Sequence, residues 1–149
     1  VYERFNSSVL GVQQVPIEDV SKYGVISKKT GEIDDHCFHI DSLVEKPKME
    51  EAPSNHAIMG RYILRPEIFE ILETQSPGAG GEIQLTDAIQ ELNEKQMVVA
   101  YEFSGERHDV GDKFGFIKAQ LDFAIEREDL REPILEYMDQ LVEKAKAKI

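Results

Sequence analysis

Leu43-Val44-Glu45-Lys46-Pro47 sets a carboxylate and an ammonium side by side at the end of a short apolar run, and a proline follows at once. Neighbouring residues on a strand point to opposite faces, so Glu45 and Lys46 diverge if the strand continues. At a fraying strand end, where Pro47 cannot donate a ladder hydrogen bond, both can lean over one ligand. A carboxylate accepts from hydroxyls and an ammonium neutralises a phosphate, a pairing that suits a sugar phosphate. Glu-Lys-Pro is equally a common way to leave a strand with both charges in water, and on these five residues alone that solvated exit is the better account.

Three other stretches could do chemistry. In Lys22-Tyr23-Gly24-Val25 a glycine between apolar strand residues would let a ligand approach the backbone, although a bulge or kink explains it as well. Gly78-Ala79-Gly80-Gly81-Glu82-Ile83-Gln84-Leu85-Thr86-Asp87 is a glycine loop running towards a helix. It could cradle an anion on free amides or could simply be mobile. It lacks the lysine and hydroxyl pair of a P-loop. If the helix begins near Gly81, Glu82 and Thr86 share one of its faces. In Arg107-His108-Asp109-Val110-Gly111-Asp112, Asp109 ends an extended segment where α/β proteins present metal or substrate ligands, and Asp112 is the better helix cap. One aspartate alone makes a poor magnesium site. His36 and His39 flank Cys37 without a second cysteine, which argues against zinc. Arg61 and Tyr62 read as structural.

The chain has 149 residues, 41% apolar and 31% charged, as expected of a globular protein with one sizeable core. Its net charge of −12 argues against DNA, RNA or an anionic membrane as partner, without excluding a phosphorylated small molecule. No apolar run reaches the length of a membrane span, and a single cysteine gives no intramolecular disulfide; a cytoplasmic address is expected.

These residues need elements to hold them. Val1 to Phe5 reads as the tail of a helix, and Val9 to Val15, Lys22 to Ile26, and Cys37 to Glu45 read as neighbouring strands. The last shows only partial alternation of Phe38, Ile40 and Leu43. Lys28 to Asp35 reads as a turn-rich tip. Ala57 to Leu64 is a buried strand interrupted by Gly60. Pro66 opens a helix with Ile68, Ile71 and Leu72 on one face. Leu85, Ala88, Ile89 and Leu92 repeat at helical spacing. Met97 to Phe103 is a strand and Glu106 to Val110 a second short extended piece. Two helices close the chain, with stripes Phe114, Ile117, Leu121, Ala124, Ile125 and Ile134, Met138, Leu141, Val142, Ala145. The whole is α/β.

KYGV, LVEKP, APSNHAIMGRYIL followed by PEIF, GAGGEIQLTDA and RHDVGD, in this order, resemble the bacterial UTP–glucose-1-phosphate uridylyltransferases, within the wider nucleotidyltransferase family. The resemblance runs from about Val9 to Ala124. It implies a Rossmann-like nucleotide-diphospho-sugar transferase fold with a mixed sheet. It also implies a reaction in which UTP and glucose 1-phosphate give UDP-glucose and pyrophosphate with magnesium. By that likeness Glu45 accepts from glucose hydroxyls and Lys46 binds the sugar-linked phosphate. Gly24 approaches the sugar, Thr86 lies near the sugar or its phosphate, and Asp109 is a metal carboxylate. Lys46 and Asp109 would be the catalytic pair, with Glu82 a further substrate contact. Residues 1–149 would then be the carboxy-terminal, sugar-phosphate-binding half, with 130–149 a closing helix that packs on the core or on another subunit of a homo-oligomer. Such a half would lack the glycine-rich nucleotide loop, would be inactive alone, and would expose a sheet edge. A non-catalytic sugar-nucleotide-binding module and a relative using another nucleotide such as dTTP are the alternatives.

Overall fold

The computed structural model describes residues 1–34 and 36–147, which form two compact units, 1–104 and 105–147. In the first, helix α1 (Tyr2–Phe5) precedes strands β1 (Ser8–Gln14), β2 (Gly24–Glu32), β3 (Cys37–Glu45) and β4 (His56–Ile63). Helices α2 (Ile68–Thr74) and α3 (Leu85–Lys95) and strand β5 (Val98–Glu102) complete it. β1 runs parallel to β5 and antiparallel to β4, so the sheet is mixed. The ladder runs β1-β4-β2-β3-β5 and closes on itself. Closure rests on short pairings, Val25 and Ile26 of β2 on β4, and Cys37 to His39 of β3 on β5. Beyond His56 and Ala57, β4 is paired only with β1. The turn-rich tip expected at Lys28 to Asp35 is largely strand, because β2 continues to Glu32 with Lys28 opposite Ile40 and Glu32 opposite Phe38; Asp35 lies outside the described residues.

One irregularity of β3 decides which way Glu45 faces. Ser27 pairs with Ser42 but the next residue, Lys28, pairs with Ile40, so Asp41 is the extra residue of a bulge. Phe38 and Ile40 point into the core ahead of it. The bulge shifts the parity by one, so Leu43 also points inward and Glu45 shares its side, whereas Val44 faces out. The partial alternation seen in the sequence is this bulge. A second one lies where Gly11 pairs with Arg61 and Val12 with Ile58, bypassing Met59 and Gly60, the latter at φ +64°.

The core joins Leu10, Val12, Ile26, Phe38, Ile40, Leu43, Ile58 and Val98 of the sheet to Ile68 and Ile71 of α2 and to Ala88, Ile89 and Leu92 of α3. Burying each large aliphatic side chain stabilises the unit by about 1.5–3 kcal/mol before chain entropy is counted. Polar residues on α3 fix its docking. Gln90 Oε1 accepts from Leu43 N at 2.8 Å, and Asn93 Nδ2 donates to Ile40 O at 3.0 Å. These two bonds grip β3 on either side of the Asp41 bulge.

In the second unit α4 (Lys113–Glu126) and α5 (Glu128–Lys146) form a hairpin through Arg127. Arg131 donates to the Ile125 and Glu126 carbonyls at 2.8 and 3.3 Å, supplying the end of α4 with partners. Asp112 caps α4, its Oδ2 accepting from Gly115 N at 2.8 Å, as its position in the sequence implies. The extended piece expected at Glu106 to Val110 is not a strand. There Gly105 takes φ +135° and the Asp109 side chain bonds Gly111 N, a local turn that competes with strand pairing. The helical stripes are only partly covered, with Phe114 and Ile117 exposed and Leu121, Ala124, Ile125, Ile134 and Met138 half-buried.

Candidate functional site

Glu45 ends β3 directly opposite Gly24, the first residue of β2. Its side chain is only 14% exposed, and a carboxylate so placed needs donors. Thr86, buried in the first turn of α3, supplies one: its hydroxyl donates to Glu45 Oε2 at 2.6 Å. Thr86, Gln90 and Asn93 follow one another at spacings of four and three, so a single side of α3 carries the Glu45 donor and both grips on β3. Gly24 completes the corner. A Cβ there would lie 3.0 Å from both Glu45 Oε2 and Thr86 Oγ1 and 3.1 Å from Ile58 Cδ1, so no side chain fits without displacing them.

Lys46 leaves the strand abruptly. Its φ is +44°, a left-handed conformation that a residue with a Cβ seldom adopts, and its N–H donates to Tyr23 O at 3.0 Å. The turn brings Nζ to 3.7 Å from Glu45 Oε1, with the lysine side chain 61% exposed. Carboxylate and ammonium thus converge, as the reading of a fraying strand end requires. Strain of this kind costs of order 1–3 kcal/mol and collects at functional sites. On β4 Tyr62 stands in the same field. Burial raises the pKa of its phenol, and the negative charge of Glu45 raises it further. The sequence reads Tyr62 as structural, and nothing in its local pattern shows that it stands in the field of Glu45.

The glycine loop ahead of α3 is bonded partly to itself. Gly78 N donates to Glu82 O at 2.8 Å and Gly81 N to Gly78 O at 3.0 Å, so two of its amides are used within the loop. Gly80 and Gly81 sit at φ +73° and +76°, which accounts for the glycines. The helix starts at Leu85, and Glu82 is in extended backbone, so Glu82 and Thr86 do not share a helix face. Glu82 lies exposed. A Cβ at Gly78 would overlap the Asp87 carboxylate, which packs the loop onto the start of α3.

Asp109 belongs to the second unit. Its Oδ1 accepts from Gly111 N at 3.1 Å, and its Oδ2 stands 3.5 Å from Arg107, with the side chain 57% exposed. A Cβ on Gly115 would overlap the Asp109 carbonyl, so that glycine lets the turn sit against the first turn of α4.

A largely buried carboxylate oriented by a hydroxyl thus packs against a glycine at a sheet end, with a turned-out lysine beside it. A family model for nucleotidyl transferases matches residues 5–126, and the chain belongs to that family. Within it, the UTP–glucose-1-phosphate uridylyltransferase of Streptococcus pneumoniae serotype 4 is 53% identical over 140 residues, covering 94% of this chain and 46% of that protein. A UDP-glucose pyrophosphorylase crystallised with UDP-glucose superposes with a TM-score of 0.79 at 41% identity, over 85% of this chain and 47% of that one. A UTP-bound enzyme from Acinetobacter baumannii superposes at 0.77 with 33% identity, over 95% and 47%. The chain spans about half the length of the curated relatives it matches. The expected fold class, α/β with a mixed sheet in a nucleotidyltransferase, therefore holds.

Proposed function

We propose that this chain carries the sugar-phosphate side of a uridylyltransferase that converts UTP and glucose 1-phosphate to UDP-glucose and pyrophosphate. The observation that carries the reading is the corner itself, in which Thr86 aims the Glu45 carboxylate past Gly24 with Lys46 beside it. Relatives sharing half of its residues and named for this reaction support it. A phosphate oxygen of glucose 1-phosphate attacks the α-phosphorus of UTP; a new P–O bond forms, the α–β bridging bond breaks, and pyrophosphate leaves with the electron pair. No covalent enzyme intermediate is needed, so the protein contributes positioning and charge neutralisation.

Glu45 accepts from glucose hydroxyls through the lone pairs that Thr86 leaves free. Lys46 offsets the charge of the sugar-linked phosphate, and its exposure lets Nζ swing from Glu45 to the ligand. Gly24 gives the sugar access to the backbone, and Glu82 is a further contact from the loop. Asp109 suits magnesium as one hard oxygen ligand, exposed and oriented by Gly111 N. When bound, the ion would neutralise phosphate charge, with waters and phosphate oxygens filling its other positions. No residue is assigned to the base. A cytoplasmic enzyme and a homo-oligomer belong to the same reading. The apolar groove of the second unit, lined by Val110, Phe116, Phe123 and Leu130, supports self-association, and no described helix is long and apolar enough to cross a membrane.

Calorimetry of the chain with UDP-glucose and with glucose 1-phosphate tests the proposal. Binding should appear and weaken at least about tenfold in Lys46→Ala, a loss of about 1.4 kcal/mol, with the melting curve retained. Equal affinity in that variant, or no heat with either ligand, would overturn it.

A further inference from the structure

Three side chains of the second unit that the sugar-nucleotide reading leaves unused converge on one point. One donor atom each of Glu106, His108 and Asp122 lies within 4.8 Å of the other two. Glu106 is exposed and the other two are half-buried. His108 Nδ1 and Asp122 Oδ2 stand 3.6 Å apart. Both atoms are closed off from solvent, and neither has a hydrogen-bond partner among the described residues. Two orphaned polar atoms facing each other carry a desolvation cost of about 1–3 kcal/mol apiece unless something lies between them.

The spacing says what fits. A direct N–H···O bond needs about 2.9 Å, which the pair exceeds. A bridging water at about 2.8 Å from each atom would be squeezed to an angle of roughly 80°, far from tetrahedral. A metal ion at about 2.1 Å from each would subtend roughly 118°, within the range of a tetrahedral or distorted site. Glu106 can then swing in as a third ligand and leave a solvent-facing position. The His108 ring is held by Phe123, with centroids 5.2 Å apart, so the nitrogen does not have to search for its geometry. Lys118 Nζ, 4.0 Å from Asp122 Oδ2, is a competing cation, and its side chain is more than half exposed and can move into water.

We propose that Glu106, His108 and Asp122 bind a first-row divalent transition-metal ion of the zinc or cobalt type. An imidazole with two carboxylates is the mixed donor set these ions take, whereas magnesium and calcium prefer oxygen alone. The site is separate from the magnesium carboxylate assigned to Asp109 and does not depend on the sugar-nucleotide reading.

Visible absorption of the 149-residue chain titrated with Co2+ tests it. A ligand-field band should grow to saturation at one ion per chain and persist in excess Mg2+. His108→Phe, which keeps a ring against Phe123, and Asp122→Asn should each weaken Co2+ binding at least about tenfold; Asp109→Asn should leave it unchanged. Melting curves identify variants that fail to fold, and either ligand variant suffices. Absence of the band in the parent chain, retention of full affinity in a folded ligand variant, or loss of the band in Asp109→Asn would overturn the assignment.

Discussion

Thr86→Val removes one oxygen and keeps the shape of the side chain, so it isolates the 2.6 Å hydrogen bond to Glu45. A hydrogen bond to a charged acceptor contributes about 1.5–3 kcal/mol, and the carboxylate is largely buried, so little water is available to replace the hydroxyl. The expected loss is about 2 kcal/mol, a fall in Tm of roughly 4–8 °C for a chain of this size. Thr86→Ser retains the donor and should recover most of that loss. Glu45→Gln completes a double-mutant cycle, in which the coupling energy should be about 1–2 kcal/mol because the two groups act on each other directly. Denaturant unfolding of the four proteins gives the cycle, and calorimetry with UDP-glucose gives its counterpart at the ligand. A Thr86→Val variant within about 0.5 kcal/mol of the parent, or a coupling near zero, would refute the claim that Thr86 orients Glu45.

Other perturbations follow from the same geometry. Gly24→Ala drives a methyl group to 3.0 Å from both Glu45 Oε2 and Thr86 Oγ1 and should cost about 1–3 kcal/mol by denaturant melt; a neutral result would mean that the corner yields to a methyl group without strain. Lys46 should reverse the usual order of small residues: with φ at +44°, Lys46→Gly should be more stable than Lys46→Ala by about 1 kcal/mol although both lose Nζ, and an alanine variant of equal stability would argue against strain. Burial depresses the pKa of His56, with Lys28 adding to the effect. The unfolded chain therefore takes up this proton first, and stability should fall as pH drops through the ordinary histidine range near 6.5 towards the lower folded value. His56→Leu should flatten that slope in melts between pH 7 and 5, and an unchanged slope would shift the cause elsewhere.

How much of this was legible varies residue by residue. The apolar runs of β1, β3, β4 and β5 and the helical spacing of Leu85, Ala88, Ile89 and Leu92 were legible because periodicity is a local property. So was the cap at Asp112, since a cap needs only its own first turn. Where α3 begins is left open by the sequence, because the left-handed glycines and the bonds that close their loop onto itself leave no trace in hydrophobic pattern. Gln90 and Asn93 carry no mark in the sequence because their partners, Leu43 and Ile40, lie far away along the chain.

The sequence by itself determined that an acid and a base leave a strand together at Glu45-Lys46-Pro47, and the order of motifs pointed to the nucleotidyl transferase family. Tertiary structure decided which way they point. The extra residue at Asp41 reverses the parity of β3 and turns Glu45 inward, α3 delivers the Thr86 hydroxyl to it, and a left-handed Lys46 folds its ammonium back over the carboxylate. Side-chain direction on a strand depends on the register with its neighbour, and register is a relation between segments that no single segment contains.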